Sequence, residues 1–310
     1  MKTDNNSREL PWLATAPVNA RLTPKKRMES CLQLSELTTK MATHVICHVI
    51  VDHEDMLRQE RFSVASAFLQ RVTSTHLCNH KLTEEGIVLN VQGQAFQLHE
   101  EFKTMMLTRS AYEHLVMFYF LYIHPKSDEE RSLVWHYWKI NGKKSLMSQE
   151  SRAATAADSD QTEALRGQMR STRIGMECWQ KLGEWTAPDK PAQNGCIAFS
   201  CSRGRYDVRR VSYSQAWRYL FGKSQEDMDQ LYRLLSIHSH PAYEGLMQYQ
   251  DQAQRDEGFD GVPLYLSCSF LAYLCRLFLR LLPEGERLLT NDFSDKEMQL
   301  FRALSRLPAC

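Results

Sequence analysis

The chain has 310 residues, with 38 Lys and Arg against 37 Asp and Glu, for a formal net charge of +1. This balance gives no global electrostatic case for binding nucleic acid or an anionic membrane, so any basic surface must be local. Contents of 43% hydrophobic and 24% charged residues indicate a soluble globular protein. Its nine cysteines form no Cys-x-x-Cys pair, and the first residues lack the apolar core of a signal peptide. We therefore expect reduced thiols and a cytoplasmic location.

The first elements are predicted to be helical after a polar arm. Residues 1–23 are polar and contain prolines, which favours a disordered or extended arm before a single helical domain over residues 24–310. Apolar residues at helical spacing predict helices over Lys25–Val51 and Asp52–Cys78. A glycine-bounded run, Gly86–Gly93, predicts an irregular or strand-like patch.

The centre of the chain is dominated by a helix predicted over Phe102–His124. It ends before Pro125, because proline disfavours helical geometry in the residue before it. A further helix begins at Ser127 and is expected to stop at Asn141-Gly142. The segment Ser148–Arg173 is consistent with a solvated helix or a mobile connector.

The last part of the chain contains one predicted interruption. An insertion over about residues 183–212 has prolines and short apolar runs, and is expected to be non-helical with a possible small hairpin. Helices are predicted over Tyr213–Phe221, Gln225–His238, Leu264–Leu282 and Ser294–Leu307. The fold class predicted is all-α, an irregular multi-helix bundle with one non-helical insertion.

The most apolar segment is Pro263–Pro283, nearly long enough to span a bilayer. Arg276 and Arg280 lie within it, and charges there cost several kcal/mol each in lipid. A buried bundle helix and no membrane contact are therefore expected.

The central helix places charges in an apolar setting. Arg109 and Glu113 are four residues apart, so they lie on one face and can pair. Burying charge is unfavourable unless it is paired and hydrogen-bonded, so remote parts of the chain must meet these residues. One interpretation is a structural salt bridge that fixes helix packing. The other is a guanidinium presented to a phosphate or carboxylate ligand and held by Glu113.

Arg109 and His114 also form an Arg-x(4)-His pattern. It resembles the ribonuclease signature of HEPN domains, which are helical bundles that often act as dimers. The resemblance implies RNA as a ligand, a homodimer and metal-independent cleavage, with the histidine assisting proton transfer and the arginine stabilising phosphate charge. Two features depart from this pattern. The family usually has Asn, Asp or His after the arginine, whereas this chain has Ser110. Five positions also turn a straight helix by about 140°, which separates the side chains of Arg109 and His114.

A second group of polar residues precedes Pro241. Tyr232, Ser236, His238 and His240 gather toward the predicted end of one helix, where the dipole favours imidazolium. Together with Arg109 and Glu113, this pattern resembles an uncharacterised bacterial helical domain of unknown function. The resemblance implies that all six residues belong to one site, and it implies no reaction. Exposed histidines at a capped helix end are the alternative.

Other patterns are less specific. The pairs His44/His48 and His76/His80 have i,i+4 spacing that two neighbouring helices could use to bind a transition metal, although surface or core histidines are the favoured interpretation. Four arginines lie near aromatic residues in the insertion, an arrangement that can hold single-stranded nucleic acid: Arg203, Arg205, Arg209 and Arg210. Arg276 is a candidate partner of Glu113 or of an anionic ligand. No metal and no cofactor are expected.

The leading hypothesis is an intracellular helical domain that binds RNA or another phosphate-containing ligand, extending to a metal-independent HEPN-like ribonuclease. The predicted catalytic group is His238, His240, Arg109 and Glu113, and the predicted ligand-binding group is Tyr232, Ser236, His114 and Arg276. Whether the protein is an enzyme stays open. The competing hypothesis is a non-catalytic helical scaffold or protein-interaction module whose polar cluster specifies packing.

Overall fold

The computed structural model describes residues 22–91, 94–98, 101–149, 155–172, 174–178, 197–202, 205–221, 232, 235 and 261–306. Helices dominate these residues, which confirms the predicted all-α, multi-helix class. The chain divides into two compact units, residues 1–115 with 223–310, and residues 116–222. The predicted single domain over residues 24–310 stays a prediction.

The first unit is built on long helices with a short hairpin between them. Helices α1 (Pro24–Asp52), α2 (Glu54–Leu57) and α3 (Glu60–Glu84) precede strands β1 (Ile87–Val91) and β2 (Gln94–Leu98). The strands pair antiparallel, with Ile87 opposite Leu98, which confirms the strand-like patch. Helix α4 (Glu101–Phe118) follows, and its residues up to Leu115 belong to this unit. After the second unit come α8 (Val262–Leu279), α9 (Arg287–Thr290) and α10 (Asp295–Leu304).

Capping residues mark the N-terminal ends of two of these helices. The Thr23 hydroxyl accepts a hydrogen bond from the backbone N–H of Lys26 at 3.4 Å, and Pro24 occupies the first turn of α1. Ser294 and Glu297 form a reciprocal capping box at the start of α10. Helix α1 ends one residue from its predicted limit, whereas the second predicted helix is broken at His53 and Gln59 and its main part extends to Glu84.

The core of the first unit lies around α8, which packs against both α1 and α3. Its side chains are buried on nearly every side, as expected for the most apolar helix. Among the described residues, α8 is the one helix long and apolar enough to cross a membrane, and 83% of that span is buried inside the protein. Such burial is typical of a core helix.

Within its described residues, the second unit contains a π-helical turn, α-helices and a hairpin. The π-turn (Tyr119–Ile123) continues directly from α4 and is followed by α5 (Asp128–Gln149), α6 (Ala156–Ser171), strands β3 (Ile197–Ser202) and β4 (Arg205–Arg210), and α7 (Tyr213–Phe221). The β3–β4 pair confirms a hairpin within the predicted insertion. Helix α6 bears out the helical alternative for Ser148–Arg173 over most of that segment.

The predicted stop at Asn141-Gly142 is wrong, because α5 continues through both residues to Gln149. A glycine inside a helix costs only about 0.5–1 kcal/mol relative to alanine, which the neighbouring turns can offset. Gly142 is exposed, so nothing in its surroundings forces a turn there.

Gly261 is required where the chain enters α8. Its φ of +76° is left-handed, and a Cβ there would lie 2.7 Å from Cys31 Sγ. The Cys31 thiol donates a hydrogen bond to the Gly261 carbonyl oxygen at 3.3 Å, so the two segments are in direct contact. The backbone conformation and the approach of α1 both exclude a larger residue.

We expect Gly261→Ala to lower the free energy of unfolding by about 2 kcal/mol or more, through left-handed strain and overpacking. Urea denaturation measures the change. Gly142→Ala is the matched control: a Cβ at Gly142 would meet nothing within 4 Å, so this change is expected to stabilise by about 0.5–1 kcal/mol. Equal stability of the two variants would contradict the proposed constraint at Gly261.

Candidate functional site

The candidate site begins with an ion pair on α4. Arg109 and Glu113 are one helical turn apart, and Arg109 Nε donates to Glu113 Oε1 at 2.8 Å. The two side chains retain 22% and 27% of their exposure, so the pair is sheltered and still reaches solvent. The structure thus pairs these charges as the spacing predicts.

Tyr232 joins this pair from a distant part of the chain. Arg109 Nη2 donates to the Tyr232 hydroxyl at 3.1 Å, and that hydroxyl donates to Glu113 Oε1 at 3.2 Å. The guanidinium carbon also lies 5.2 Å from the centroid of the tyrosine ring. We call Arg109, Glu113 and Tyr232 the α4 cluster; its hydrogen bonds form a closed ring that fixes the direction of the guanidinium.

Arg109 and Tyr232 both have raised pKa values in the α4 cluster. Burial lowers the pKa of Arg109, but the hydrogen bond and negative charge of Glu113 outweigh burial, and the net change raises the pKa above its ordinary value. Burial, followed by the charge of Glu113, raises the pKa of Tyr232. At neutral pH the cluster therefore holds a permanent cation beside a protonated phenol.

An aromatic layer lies behind the α4 cluster. Tyr112 is fully buried, with its ring centroid 6.1 Å from that of Tyr232 and 5.3 Å from that of Phe270 on α8. On the same helix Thr108 donates to the carbonyl of Thr104 at 2.7 Å and lies 3.0 Å from the Pro263 carbonyl. The α4 cluster is thus anchored to the central helix of the first unit.

Two predicted ligand-binding residues make other contacts. His114 packs its ring 6.0 Å from that of Phe68, and its Nδ1 lies 2.6 Å from the Ser110 carbonyl oxygen. Burial lowers the pKa of His114, which favours a neutral ring with the proton on Nδ1. Arg276 donates to Glu286 at 3.1 Å, and the same carboxylate accepts from Arg302 at 3.3 Å.

The remaining predicted site residues, Ser236, His238 and His240, lie outside the described residues. In the insertion, Arg203 also lies outside them, while Arg205, Arg209 and Arg210 belong to β4. Of the eight predicted site residues, the described part of the chain therefore brings together Arg109, Glu113 and Tyr232.

A second polar cluster lies inside the first unit and centres on His76. His76 Nε2 is 2.9 Å from Ser35 Oγ, and Nδ1 is 2.9 Å from Ser267 Oγ. His80 Nδ1 approaches the same Ser35 hydroxyl at 2.8 Å, and His80 Nε2 lies 3.4 Å from Glu84. His76, Ser35 and Ser267 are completely buried, so this serine–histidine chain runs from the core toward a surface carboxylate.

Burial lowers the pKa of His76 to about 4, and the nearby His80 adds to this effect. A neutral imidazole donates from one nitrogen and accepts at the other, and hydroxyl groups can serve both roles. His76 therefore joins α1, α3 and α8 as a neutral group. Its i,i+4 spacing with His80 is visible in the sequence, but the two serine partners give no local signal.

One group of possible metal ligands is found among the described residues. It shares only His48 with the two histidine pairs suggested by the sequence, His44/His48 and His76/His80. It consists of His48, His53 and Glu284. His76 is already bonded at both nitrogens to serine hydroxyls, whereas His48 and His53 meet near the end of α1. The nearness of Glu284 carries no sequence signal, because this residue is more than 200 positions away.

No protein-family model, curated protein or solved structure matches the chain.

Proposed function

We propose that the protein binds a phosphate-containing ligand, with RNA as the ligand class, through Arg109 of the α4 cluster. The observation that carries the proposal is the fixed guanidinium, held by Glu113 at 2.8 Å and Tyr232 at 3.1 Å in a partly exposed position. A cation that is ordered before the ligand arrives loses less entropy on binding. Arginine also suits a phosphodiester, since its planar fork can donate two parallel hydrogen bonds.

Glu113 and Tyr232 are positioning residues in this proposal. Glu113 accepts from both other members of the cluster and so fixes them together. The carboxylate would repel a phosphate placed directly beside it, which directs the ligand to the solvent-facing side of Arg109. The net charge of +1 leaves recognition to this local arrangement, not to a general attraction for nucleic acid.

The catalytic form of the proposal is a HEPN-like ribonuclease. His238 or His240 would move the proton of the ribose 2′-OH, while Arg109 would stabilise charge on the phosphate. This form rests on the sequence pattern, because both histidines lie outside the described residues. A non-catalytic scaffold is the alternative function. The observation that supports it is that the α4 cluster joins Tyr232 to the Tyr112–Phe270 layer.

Binding of a fluorescently labelled single-stranded RNA, measured by anisotropy at fixed salt, tests the proposal. We expect Arg109→Ala to weaken binding at least about tenfold, the equivalent of about 1.4 kcal/mol. Arg109→Lys should give an intermediate loss, because lysine keeps the charge without the planar fork. Arg58→Ala is the matched control: Arg58 also pairs with a glutamate at i,i+4 spacing, but its side chain is 71% exposed.

Two further measurements distinguish the ribonuclease from the scaffold. RNA cleavage in the presence of EDTA, lost in His238→Ala or His240→Ala, would support the ribonuclease. A fall in unfolding free energy of more than about 3 kcal/mol in Arg109→Ala, with no RNA binding by the unmodified protein, would support the scaffold. Equal loss of RNA binding in the Arg109 and Arg58 variants would refute a specific role for the α4 cluster.

A further inference from the structure

Two histidines and a glutamate from separate elements of the first unit meet at the end of α1. Glu284 Oε2 lies 3.2 Å from His53 Nε2 and 4.0 Å from His48 Nε2. One ligand atom from each residue lies within 4.8 Å of the other two. These residues are separate from the α4 cluster, so an inference about them does not depend on the proposed RNA binding.

His48 presents an unsatisfied nitrogen to this group. Its Nδ1 lies 2.7 Å from Asp52 one turn later on α1, an arrangement that places the ring proton on Nδ1. The Nε2 atom is then a lone-pair acceptor, and it is buried without a hydrogen-bond partner. An acceptor nitrogen facing a carboxylate, screened from water, is an arrangement that a cation would satisfy.

The backbone holds the three ligands in place. His53 caps the end of α1, with its N–H donating to the Val49 carbonyl at 3.2 Å, so its ring is directed back beside His48. The two ring centroids are 5.1 Å apart and nearly perpendicular. Glu284 lies in the tight turn after α8, where Gly285 N–H donates to the Leu282 carbonyl at 3.2 Å.

We propose that His48, His53 and Glu284 bind a divalent transition metal of the zinc class, with Asp52 orienting His48. Two imidazoles and a carboxylate form a ligand set that zinc accepts, and a fourth, solvent position would take water. Tetrahedral zinc sets its ligand atoms about 3.4 Å apart, so the His53–Glu284 separation already fits. His48 Nε2, which lies 4.0 Å from Glu284 Oε2, would move closer to that oxygen on metal binding, and the His53 proton would shift from Nε2 to Nδ1.

The test uses the full chain, stripped of metal with EDTA, dialysed and titrated with ZnCl2 in a calorimeter. We expect one zinc per chain, confirmed by elemental analysis, and a rise in Tm with zinc that MgCl2 does not produce. His48→Gln, His53→Gln and Glu284→Gln should each weaken zinc binding at least about 100-fold. Asp52→Asn should weaken it about 10–100-fold, as expected for a group that orients a ligand.

His44→Gln is the matched control. His44 lies one turn before His48 on α1 and has a carboxylate neighbour, Asp292, at 3.3 Å, but it is not one of the three proposed ligands. Zinc binding should be unchanged in this variant. Circular dichroism in EDTA identifies variants that fail to fold, and the visible absorption of a Co²⁺ complex reports the ligand set directly in Asp52→Asn. No zinc binding by the unmodified protein, or an equal loss in His44→Gln, would overturn the proposal.

Discussion

Replacing His76 with glutamine is expected to destabilise the protein by about 2–3 kcal/mol at pH 7, and this cost should shrink as the pH falls. At neutral pH the variant leaves the buried hydroxyls of Ser35 and Ser267 without the partner that His76 provides at 2.9 Å to each. Buried polar groups that lose a hydrogen bond cost about 1–3 kcal/mol. The effect should be visible as a lower midpoint in urea denaturation.

The pH dependence follows from the low pKa of His76. The native pKa is about 4, whereas an unfolded histidine has a pKa near 6.5. Between these pH values the unfolded chain binds a proton that the native protein excludes. His76 therefore costs no stability above about pH 6.5, and it lowers the free energy of unfolding as the pH falls toward 4. The maximum loss is about 3 kcal/mol. His76→Gln removes this loss, so its stability should approach that of the unmodified protein at pH 4.

Thr73→Ala provides the control for this experiment. Thr73 lies one turn before His76 on α3, is also buried, and donates only a local hydrogen bond to the Leu69 carbonyl. It does not titrate, so its stability difference from the unmodified protein should stay constant from pH 7 to pH 4. If the difference for His76→Gln is equally constant, His76 does not have the lowered pKa that its burial implies.

Phe270→Ala is expected to have the largest effect on stability, about 3–5 kcal/mol. Phe270 is completely buried on α8 and lies against Tyr112, the residue behind the α4 cluster. Truncation removes the transfer energy of the ring and leaves a cavity that the surrounding helices can fill only in part. Chemical denaturation measures the fall in free energy.

Met106→Ala is the comparison for Phe270→Ala. Met106 is a large apolar residue on α4 with 47% of its surface exposed, so its loss should change stability by about 0.5 kcal/mol or less. Because Tyr112 lies between Phe270 and Tyr232, Phe270→Ala should also weaken RNA binding if the α4 cluster is the RNA site. Similar stabilities for the two variants would contradict the placement of Phe270 in the core.

Apolar spacing and capping residues determined most helices locally. Helix α1 has a threonine cap, a proline in its first turn and a repeating apolar stripe, and its predicted limits differ from the observed ones by one residue at each end. Gly142 misled the prediction, because the cost of one glycine is smaller than the stabilisation that a long helix gains from packing. Glycine shows a boundary only where the backbone conformation requires it, as at Gly261.

The candidate site was predictable in part. The pairing of Arg109 with Glu113 follows from their spacing on one helix, and the need for a remote partner follows from the apolar residues around them. A resemblance implied that Tyr232 shares one site with Arg109 and Glu113, and its hydroxyl lies 3.1 Å from Arg109 Nη2. The position of His114 against Phe68 agrees with the rotation of about 140° that separates it from Arg109 on a helix.

By itself, the sequence determined the helical class, the charge pair on the central helix and the burial of the most apolar segment. These properties depend on the 3.6-residue period and on side-chain polarity, which are local. Tertiary structure alone decided which serines enclose His76 and which carboxylate meets His48 and His53. Ser267 is 191 residues from His76, and Glu284 is 231 residues from His53. Contacts across such separations depend on how the buried faces of several helices pack together, and no periodicity within one helix contains that information.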